Sequence, residues 1–266
     1  KARKIQGNYY MKFRELVEEL YNYAPIELSQ KFIERGGYDN SGIIIDTTKD
    51  VKSVLFCLVL TNKSVENALQ NNCEAIVTHH PAIYRPIKSL SAKSPLLTAA
   101  NCGLGVVSTH LNLDAAKYGI DYCLAKGLGG KIVKITDDFG GGKGYGRISE
   151  INCKFKEFIE NYKTTFGSDK VFAYGDLSGE VRKVASFCGA GLGDEEVEIA
   201  INESADTVVS ADIPHHVLLR CVENGLKVMA CTHYATENYG MKIYSDKMRE
   251  KLKNVKIYFF DDDRFI

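Results

Sequence analysis

Three short apolar runs in this chain each end in histidine, followed in two of them by an acidic residue, and this pattern constrains the fold most. The runs lie in segments 75–81, 106–114 and 228–237, and β-branched residues recur in them, as in buried strands. The side chains at or just beyond their ends are His79, His80, His110, Asp114, His233 and Glu237. Because the carboxyl ends of parallel strands form the binding crevice of an open α/β sheet, these side chains are predicted to meet there. Histidine with Asp or Glu is the usual ligand set for a catalytic transition metal, so the pattern predicts a metal site.

Strand-like and helix-like segments alternate along the chain, which predicts an α/β fold with a largely parallel sheet. Helical patterns occur at 11–23, 65–72, 96–102, 120–128, 154–166, 195–202 and 215–224. Strands are predicted at 51–60, 75–78, 105–109, 184–188, 207–210 and 227–231, and a glycine-rich loop at 140–146.

The candidate ligands also predict how the chain divides into lobes. Metal–ligand bonds are about 2.0–2.2 Å long, so ligands of one site must lie close together. His233 and Glu237 are therefore expected to reach the ligands that follow the strands at 75–78 and 105–109 only if the strand at 227–231 lies in the same sheet. We therefore expect two α/β lobes, with the second inserted between strands of the first. Residues 11–129 and 226–266 would form the metal-binding lobe, and residues 130–225 the smaller lobe. Residues 1–10 are expected to be a leader, because Met11 opens an amphipathic pattern as a native start would.

Composition gives no signature of nucleic-acid or membrane binding. Lys plus Arg and Asp plus Glu number 34 each, so no overall field attracts a polyanion. No apolar run approaches the ~20 residues of a membrane-spanning helix, and the first ten residues lack the apolar core of a signal peptide. The eight cysteines form no C-x-x-C pair, and we interpret them as reduced core thiols rather than a cysteine-rich zinc site. Together these features predict a cytoplasmic protein.

Each candidate ligand also has a purely structural interpretation. A histidine pair before Pro81 is common in exposed loops, Asp114 could cap a helix, and Glu237 could complement a helix dipole. Three separate strands are each followed by residues that can bind a metal. This repetition favours a metal site over three unrelated structural roles. Because a residue before proline is biased to extended geometry, His79 and His80 are expected to point to opposite sides. Such a pair suits two adjacent ions better than one.

Two glycine-rich segments invite a phosphate-loop interpretation. Segment 189–193 follows a strand and precedes a helix, which is the position of such a loop. Asp194, Glu195 and Glu196 then open the helix; they suit its dipole but would repel a phosphate, so a structural role is favoured. Segment 140–146 contains Gly-Lys but lacks the P-loop pattern, and the chain has no G-x-S-x-G nucleophile motif.

Five blocks, in this order and spacing, resemble the dinuclear metal-centre (YbgI-like) family, whose members are often named GTP cyclohydrolase I type 2 or its homologues. The blocks are Asp39-Asn40-Ser41-Gly42, Thr78-His79-His80-Pro81, His110-Leu111-Asn112-Leu113-Asp114-Ala115-Ala116, Ala211-Asp212-Ile213-Pro214-His215-His216 and Thr232-His233-Tyr234-Ala235-Thr236-Glu237. The resemblance runs from about Met11 to the C-terminus. Leu111 stands where Thr is frequent and Ala211 where Gly is frequent, and neither change removes a ligand. The blocks specify the family far better than the reaction.

The resemblance implies two α/β lobes, a toroidal homohexamer and a two-metal site in the first lobe. It implies that one divalent ion (zinc, iron or manganese) binds His80 and Asp114. The other ion would bind His79 and His233, and Glu237 would bridge both. The family positions that line the cavity correspond to His110, Asp212 and His216. The two histidines among them are candidates for proton transfer.

The first hypothesis is therefore a dinuclear metal-dependent hydrolase that acts on a small molecule, with a nucleotide as the leading candidate. In a GTP cyclohydrolase-type reaction, water adds to C8 of the purine, the imidazole ring opens and formate leaves. A metal assists by lowering the pKa of water from about 16 to near 7. A phosphoesterase or amidohydrolase would use the same residues. The rival hypothesis is a protein without enzymatic activity that delivers iron or responds to metal, and an open site beside a substrate-sized pocket would favour the enzyme.

Overall fold

The computed structural model describes residues 11–265, which form two β-sheets, a short strand pair and the helices around them. The strands are β1 (Met11–Lys12), β2 (Gly42–Ile45), β3 (Asp50–Val51), β4 (Ser53–Cys57), β5 (Ala75–Thr78), β6 (Gly105–Ser108), β7 (Lys131–Gly140), β8 (Lys143–Lys154), β9 (Val171–Tyr174), β10 (Glu180–Ser186), β11 (Thr207–Ala211), β12 (Lys227–Cys231) and β13 (Lys256–Phe260). The helices are α1 (Phe13–Tyr23), α2 (Glu27–Ile33), α3 (Asn62–Gln70), α4 (Pro95–Asn101), α5 (Leu111–Asp114), α6 (Ile120–Gly127), α7 (Phe155–Phe166), α8 (Asp194–Asn202), α9 (His215–Glu223) and α10 (His233–Lys251). The leader expected at residues 1–10 lies outside the described residues.

The first sheet has five strands in the order β13-β4-β5-β6-β2. Strands β13, β4, β5 and β6 are parallel, and β2 is antiparallel to β6 at one edge. Every residue of β4, β5 and β6 is buried, which is why these strands are apolar runs rather than alternating patterns. The α/β fold predicted from the sequence is confirmed.

The second sheet has six strands in the order β7-β8-β10-β11-β12-β9. Its centre, β10-β11-β12, is parallel, whereas β8 and β9 are antiparallel to the strands beside them. All six strands come from residues 131–231, and α10 then leads the chain back to β13 in the first sheet. The second sheet is therefore inserted between strands of the first.

The placement of β12 differs from our prediction, which put it in the first sheet beside β5 and β6. It pairs with β11 and β9 in the second sheet, so that prediction is wrong, and the strands of the insertion extend to Cys231 rather than ending near 225. The connection from β11 through α9 to β12 is short, and such a unit places its two strands side by side. The ligands still converge because α10 begins directly after β12: the rings of His80 and His233 lie 5.2 Å apart.

The glycine-rich segment 140–146 is mostly strand rather than the predicted loop. Strands β7 and β8 form a long hairpin whose turn is limited to Gly141 and Gly142, with φ of 64° and 80°. Tight two-residue hairpin turns need these positive angles, which glycine adopts without strain. All eight cysteines are unpaired, and six are buried, as expected for core thiols. Within residues 11–265, no helix combines the length and apolarity needed to span a membrane.

Candidate metal centre

Side chains from both halves of the chain meet between the two sheets. His79 and His80 directly follow β5, and His110 lies just after β6. Asp114 ends the short helix α5, and the first two turns of α10 present His233 and Glu237. The structure thus brings together all five predicted ligands and His110, in overlapping groups whose potential ligand atoms lie within 4.8 Å of one another.

These groups number three among the described residues: one joins His79, His80 and His110, and the other two share Glu237. Of the two that share Glu237, one contains His79 and Asp114, and the other contains His80 and His233. The resemblance implied His80 with Asp114 and His79 with His233, so the two histidines of the pair are exchanged in this grouping. The reason is the strand-like alternation: His79 is fully buried beside Asp114, whereas the side chain of His80 is 28% exposed and faces α10.

The buried ring of His79 shows that this site fits a cation. Its Nδ1 lies 2.8 Å from the carbonyl oxygen of Thr109, to which it can donate a hydrogen bond. Its Nε2 is buried and has no hydrogen-bond partner among the described residues, at 3.5 Å from Asp114 Oδ1 and 3.7 Å from Glu237 Oε2. Buried polar atoms are rarely left unpaired. A ring nitrogen facing two carboxylates, with the other ring nitrogen held by a carbonyl group, is the arrangement of a metal-binding histidine once that nitrogen has lost its proton.

Two further imidazoles are held through Nδ1 by carboxylates. His110 Nδ1 lies 2.8 Å from Asp39 Oδ1, and His233 Nδ1 lies 2.5 Å from Asp212 Oδ2. Each contact leaves Nε2 as the ring nitrogen that can bind a metal or exchange a proton, and that of His233 lies 3.0 Å from Glu237 Oε1. Burial raises the pKa of Asp39, but hydrogen bonds from His110, Ser29 and Ser41 outweigh burial and lower it to about 2. Asp39 therefore stays ionised over the physiological range.

The buried acids in this cluster demand positive charge around them. Burial alone raises the pKa of Glu237, yet its contacts with His79 and His233 hold that pKa well below the ordinary range. Burial lowers the pKa of His79, but Asp114 and Glu237 raise it to about 9. Burial also lowers the pKa of His233, and Glu237 with Asp212 raises it to about 9. Because ligand histidines must be neutral, divalent cations would take over this positive charge and release protons on binding.

A cavity of about 1120 Å³ opens beside the cluster, between the two sheets. His80, His110, Asp114, His233 and Glu237 all line it. Its remaining walls come from the first lobe around 32–38 and 81–84, and from the second lobe around 136–145 and 187–199. All the candidate ligands except the buried His79 therefore border a cavity large enough for a molecule of substrate size.

The other two cavity residues implied by the resemblance lie elsewhere. Asp212 contacts the cluster only through its hydrogen bond with His233 in the contacts described. Its backbone is in the left-handed conformation, with φ of 47°. The structure does not bring His216 to the cavity. It lies in the first turn of α9 with its side chain 72% exposed, and its Nε2 is 3.8 Å from an Asp194 oxygen.

Sequence reasoning gave no role to two residues that contact the cluster. Cys188 Sγ donates to Asp114 Oδ1 across 3.4 Å, although thiols in apolar runs are usually inert core residues. Gly189 has a positive φ of 57°, and a Cβ there would lie 2.3 Å from Glu237 Oε1 and 3.1 Å from His233 Nε2. Only a glycine lets the backbone approach Glu237 this closely. The position of 189–193 after a strand was a signal, and a structural role was favoured for the segment, but nothing in the sequence predicted its contact with Glu237.

We expect Gly189→Ala to weaken metal binding about tenfold or more, because the new methyl group displaces a shared carboxylate. Gly167→Ala is the matched control: Gly167 has φ of 64°, and nothing lies within 4 Å of a Cβ there. Both variants should lose roughly 1–2 kcal/mol of stability from the left-handed backbone, and only Gly189→Ala should lose metal affinity. Urea unfolding and metal titration measure the two effects. Equal metal affinities in the two variants would contradict the packing of Gly189 against the site.

Comparisons with known proteins agree with this fold and cluster. The family model Duf34/NIF3 (NGG1p interacting factor 3) matches residues 11–264. The chain is 29% identical to a NIF3 homolog of Schizosaccharomyces pombe, covering 93% of this chain and 90% of the relative. It is 25% identical to a GTP cyclohydrolase 1 type 2 homolog of Clostridium perfringens, covering 91% and 93%. A crystal structure of a Staphylococcus aureus hypothetical protein shares the fold with a TM-score of 0.84 at 22% identity, covering 97% of this chain and 99% of that one. The chain belongs to the Duf34/NIF3 family.

Proposed function

We propose that this member of the Duf34/NIF3 family is a dinuclear metal-dependent hydrolase of the cyclohydrolase type. The main support is the unpartnered Nε2 of buried His79, which faces two buried carboxylates beside an open cavity. One ion would be held by His79, Asp114 and Glu237. The other would be held by His80, His233 and the same glutamate. Divalent ions bound there supply hydroxide at neutral pH by lowering the pKa of water.

The reaction class that we propose is hydrolytic opening of a purine imidazole ring, in which water adds to C8 and formate leaves. Relatives named GTP cyclohydrolase 1 type 2 homologs support it. His110 is the proposed proton carrier. It lines the cavity, its side chain is 17% exposed, and Asp39 holds its Nδ1, which leaves Nε2 to accept or give a proton.

Metal content is the first test of the proposal. We expect two divalent ions per chain after loading, about 3–4 Å apart as in other two-metal sites. Elemental analysis of desalted protein gives the ratio, and a metal-loaded crystal structure gives the spacing. The reason is that the candidate ligands exceed what one tetrahedral ion needs. A ratio that saturates at one or below would refute the dinuclear site.

Formate release from a panel of purine nucleotides and nucleosides tests the reaction. His110→Gln is expected to lower the rate about 10²–10⁴-fold, the usual contribution of a general acid or base. His215→Gln is the matched control, since that exposed histidine lies on α9 outside the cavity. Phosphate or amine release without formate would instead indicate a phosphoesterase or an amidohydrolase at the same site.

A second candidate function is supported by the family description, NGG1p interacting factor 3. A protein that binds metal and a protein partner without catalysis would load two ions and release no product from any substrate.

We also propose, from the family resemblance, that the protein forms a ring of six copies and that it is located in the cytoplasm. Sedimentation of the metal-loaded chain tests the hexamer.

A further inference from the structure

The cavity beside the cluster of candidate ligands has an aromatic wall on the side of the first lobe. Tyr38 and Tyr84 pack edge to face at 5.2 Å, and Tyr84 lies 6.1 Å from the ring of His110. Both tyrosines line the cavity, and they are 37% and 43% exposed although they are large and largely apolar. The Arg85 guanidinium lies over both rings, 4.7 Å from the Tyr38 ring centroid and 5.6 Å from that of Tyr84. Exposed ring faces that this guanidinium leaves open toward the cavity are surfaces on which a planar molecule can stack.

The charges around the cavity do not suit a chain of phosphates. Among the described residues that line it, Arg35 is the one lysine or arginine, and its Nη1 already pairs with Asp137 Oδ2 at 2.5 Å. Arg85 is not among the lining residues, and its guanidinium lies over the rings of Tyr38 and Tyr84. Glu195 and Glu196 line the same space. Proteins that bind nucleoside triphosphates surround the phosphates with lysine and arginine in addition to metal.

The glycine-rich loop before α8 is also unavailable to phosphate. A phosphate at a helix N-terminus accepts hydrogen bonds from backbone amides of the preceding loop and the first turn. Here the amide of Gly193 donates to Glu196 Oε2 at 2.9 Å, so the protein's own carboxylate takes the place that a phosphate would need. The structural interpretation of segment 189–193 given above is therefore the one that the contacts support.

From these features we infer that the cavity binds an uncharged planar heterocycle, a nucleobase or nucleoside, in preference to a nucleoside triphosphate. The ring stacks on the wall formed by Tyr38 and Tyr84 and places its reacting carbon toward the metal cluster. The identification of this ligand as the substrate rests on the proposed function, but the binding of the ligand can be tested without it. The names of the relatives suggest GTP, and we infer a ligand without the triphosphate.

Equilibrium dialysis with guanosine, GTP and tripolyphosphate tests the inference without turnover. With manganese-loaded protein we expect guanosine to bind at least as tightly as GTP. With protein stripped of metal by EDTA, guanosine binding should persist, while GTP and tripolyphosphate binding should be lost. GTP binding that exceeds guanosine binding in the metal-free protein would overturn the inference. Failure of the proposed function would appear separately, as a lack of metal loading or of formate release.

Variants of the aromatic wall test where the ring binds. Tyr84→Leu should weaken guanosine binding about tenfold, as loss of one stacking contact does. Tyr84→Phe should keep guanosine binding, because it retains the ring and loses only the hydroxyl group that donates to the Tyr38 carbonyl. Tyr174→Leu, at a comparably exposed tyrosine outside the cavity, is the matched control. Unchanged guanosine binding by Tyr84→Leu would overturn the stacking site.

A charge reversal tests the exclusion of phosphates. Glu195→Lys should raise GTP affinity several-fold and leave guanosine affinity unchanged, because it replaces a repelling carboxylate with a phosphate partner. Glu223→Lys makes the same change in net charge on α9, outside the cavity, and should leave both affinities unchanged. If both variants raise GTP affinity equally, overall charge rather than the cavity wall controls phosphate binding, and the inference fails.

Discussion

Glu237→Gln is expected to remove tight binding of both metal ions, with a loss in affinity of about a hundredfold or more for each. Loss of an outer-shell partner alone typically costs 10–100-fold, and Glu237 is the proposed ligand shared by both sites. Its Oε1 lies 3.0 Å from His233 Nε2, and its Oε2 lies 2.8 Å from His80 Nε2. Glutamine keeps the shape of the side chain but removes the negative charge that two adjacent cations need.

The selectivity of this effect distinguishes a bridging ligand from an ordinary one. His79→Ala should mainly weaken one ion, and His80→Ala mainly the other, because each histidine lies in a different one of the two groups that contain Glu237. Titration with a spectroscopically visible metal such as Co²⁺, followed by elemental analysis, resolves the two sites in each variant. Glu250→Gln is the control, since Glu250 lies at the exposed end of the same helix and pairs only with Lys247 in the contacts described.

Three outcomes of these titrations have different meanings. Loss of both ions in Glu237→Gln alone supports the bridge. Loss of a single ion would assign Glu237 to one group and refute the bridge. Unchanged affinity for both ions would remove Glu237 from the metal centre altogether.

The strand ends that form the centre could be predicted because their signal is local. Each of β5, β6 and β12 is a short, largely apolar run followed within a few residues by histidine or an acid, and a buried strand needs such a run. The sheet to which β12 belongs could not be predicted. Convergence of side chains requires only that strand ends face each other, and two sheets meet this requirement as well as one.

The sequence also could not predict which ligands group together or which residues hold them in place. Alternation in an extended segment predicts that His79 and His80 diverge, but the residues that each one meets depend on how α10 packs. The block that contains Asp39 was noticed, yet its hydrogen bond to His110 joins residues 71 positions apart. Cys188 carries no polar pattern at all, and its contact with Asp114 arises only where the two sheets meet.

A buried ion pair between the lobes gives the second large effect: Arg147→Met is expected to lower the free energy of unfolding by about 3–5 kcal/mol near pH 8. Arg147 in β8 and Asp121 in α6 are almost fully buried, with Nη1 and Oδ2 3.0 Å apart. Arg147 also donates to the carbonyl groups of Gly144 and Gly146. Methionine fills a similar space but leaves a buried carboxylate without its cation, which is costlier than losing a surface pair.

The stability deficit of Arg147→Met should depend on pH in a direction fixed by Asp121. Burial raises the pKa of Asp121 from its ordinary 3.8 to about 7, although Arg147 lowers it. A carboxyl group whose folded pKa is raised loses stability as pH rises from the unfolded value through the folded one. Removing Arg147 raises that pKa further. The deficit should therefore grow between pH 6 and pH 8 and shrink toward pH 5, where Asp121 is protonated and needs no cation.

Urea unfolding of three variants at pH 5 and pH 8 separates this charge effect from simple loss of packing. The double variant Asp121→Asn with Arg147→Met should recover much of the loss at pH 8, because asparagine is neutral and still offers Oδ1 to the Cys188 amide, which lies 3.3 Å away. Arg182→Met, at a 74% exposed arginine paired with Glu180, should cost within about 1 kcal/mol at either pH. An Arg147→Met deficit that is equal at both pH values, and that the second substitution does not relieve, would mean that Arg147 stabilises the lobes through its carbonyl contacts and packing. Asp121 would then be a neutral acid at both pH 5 and pH 8. The charge of Arg147 would not contribute to the packing of α6 against the inserted sheet.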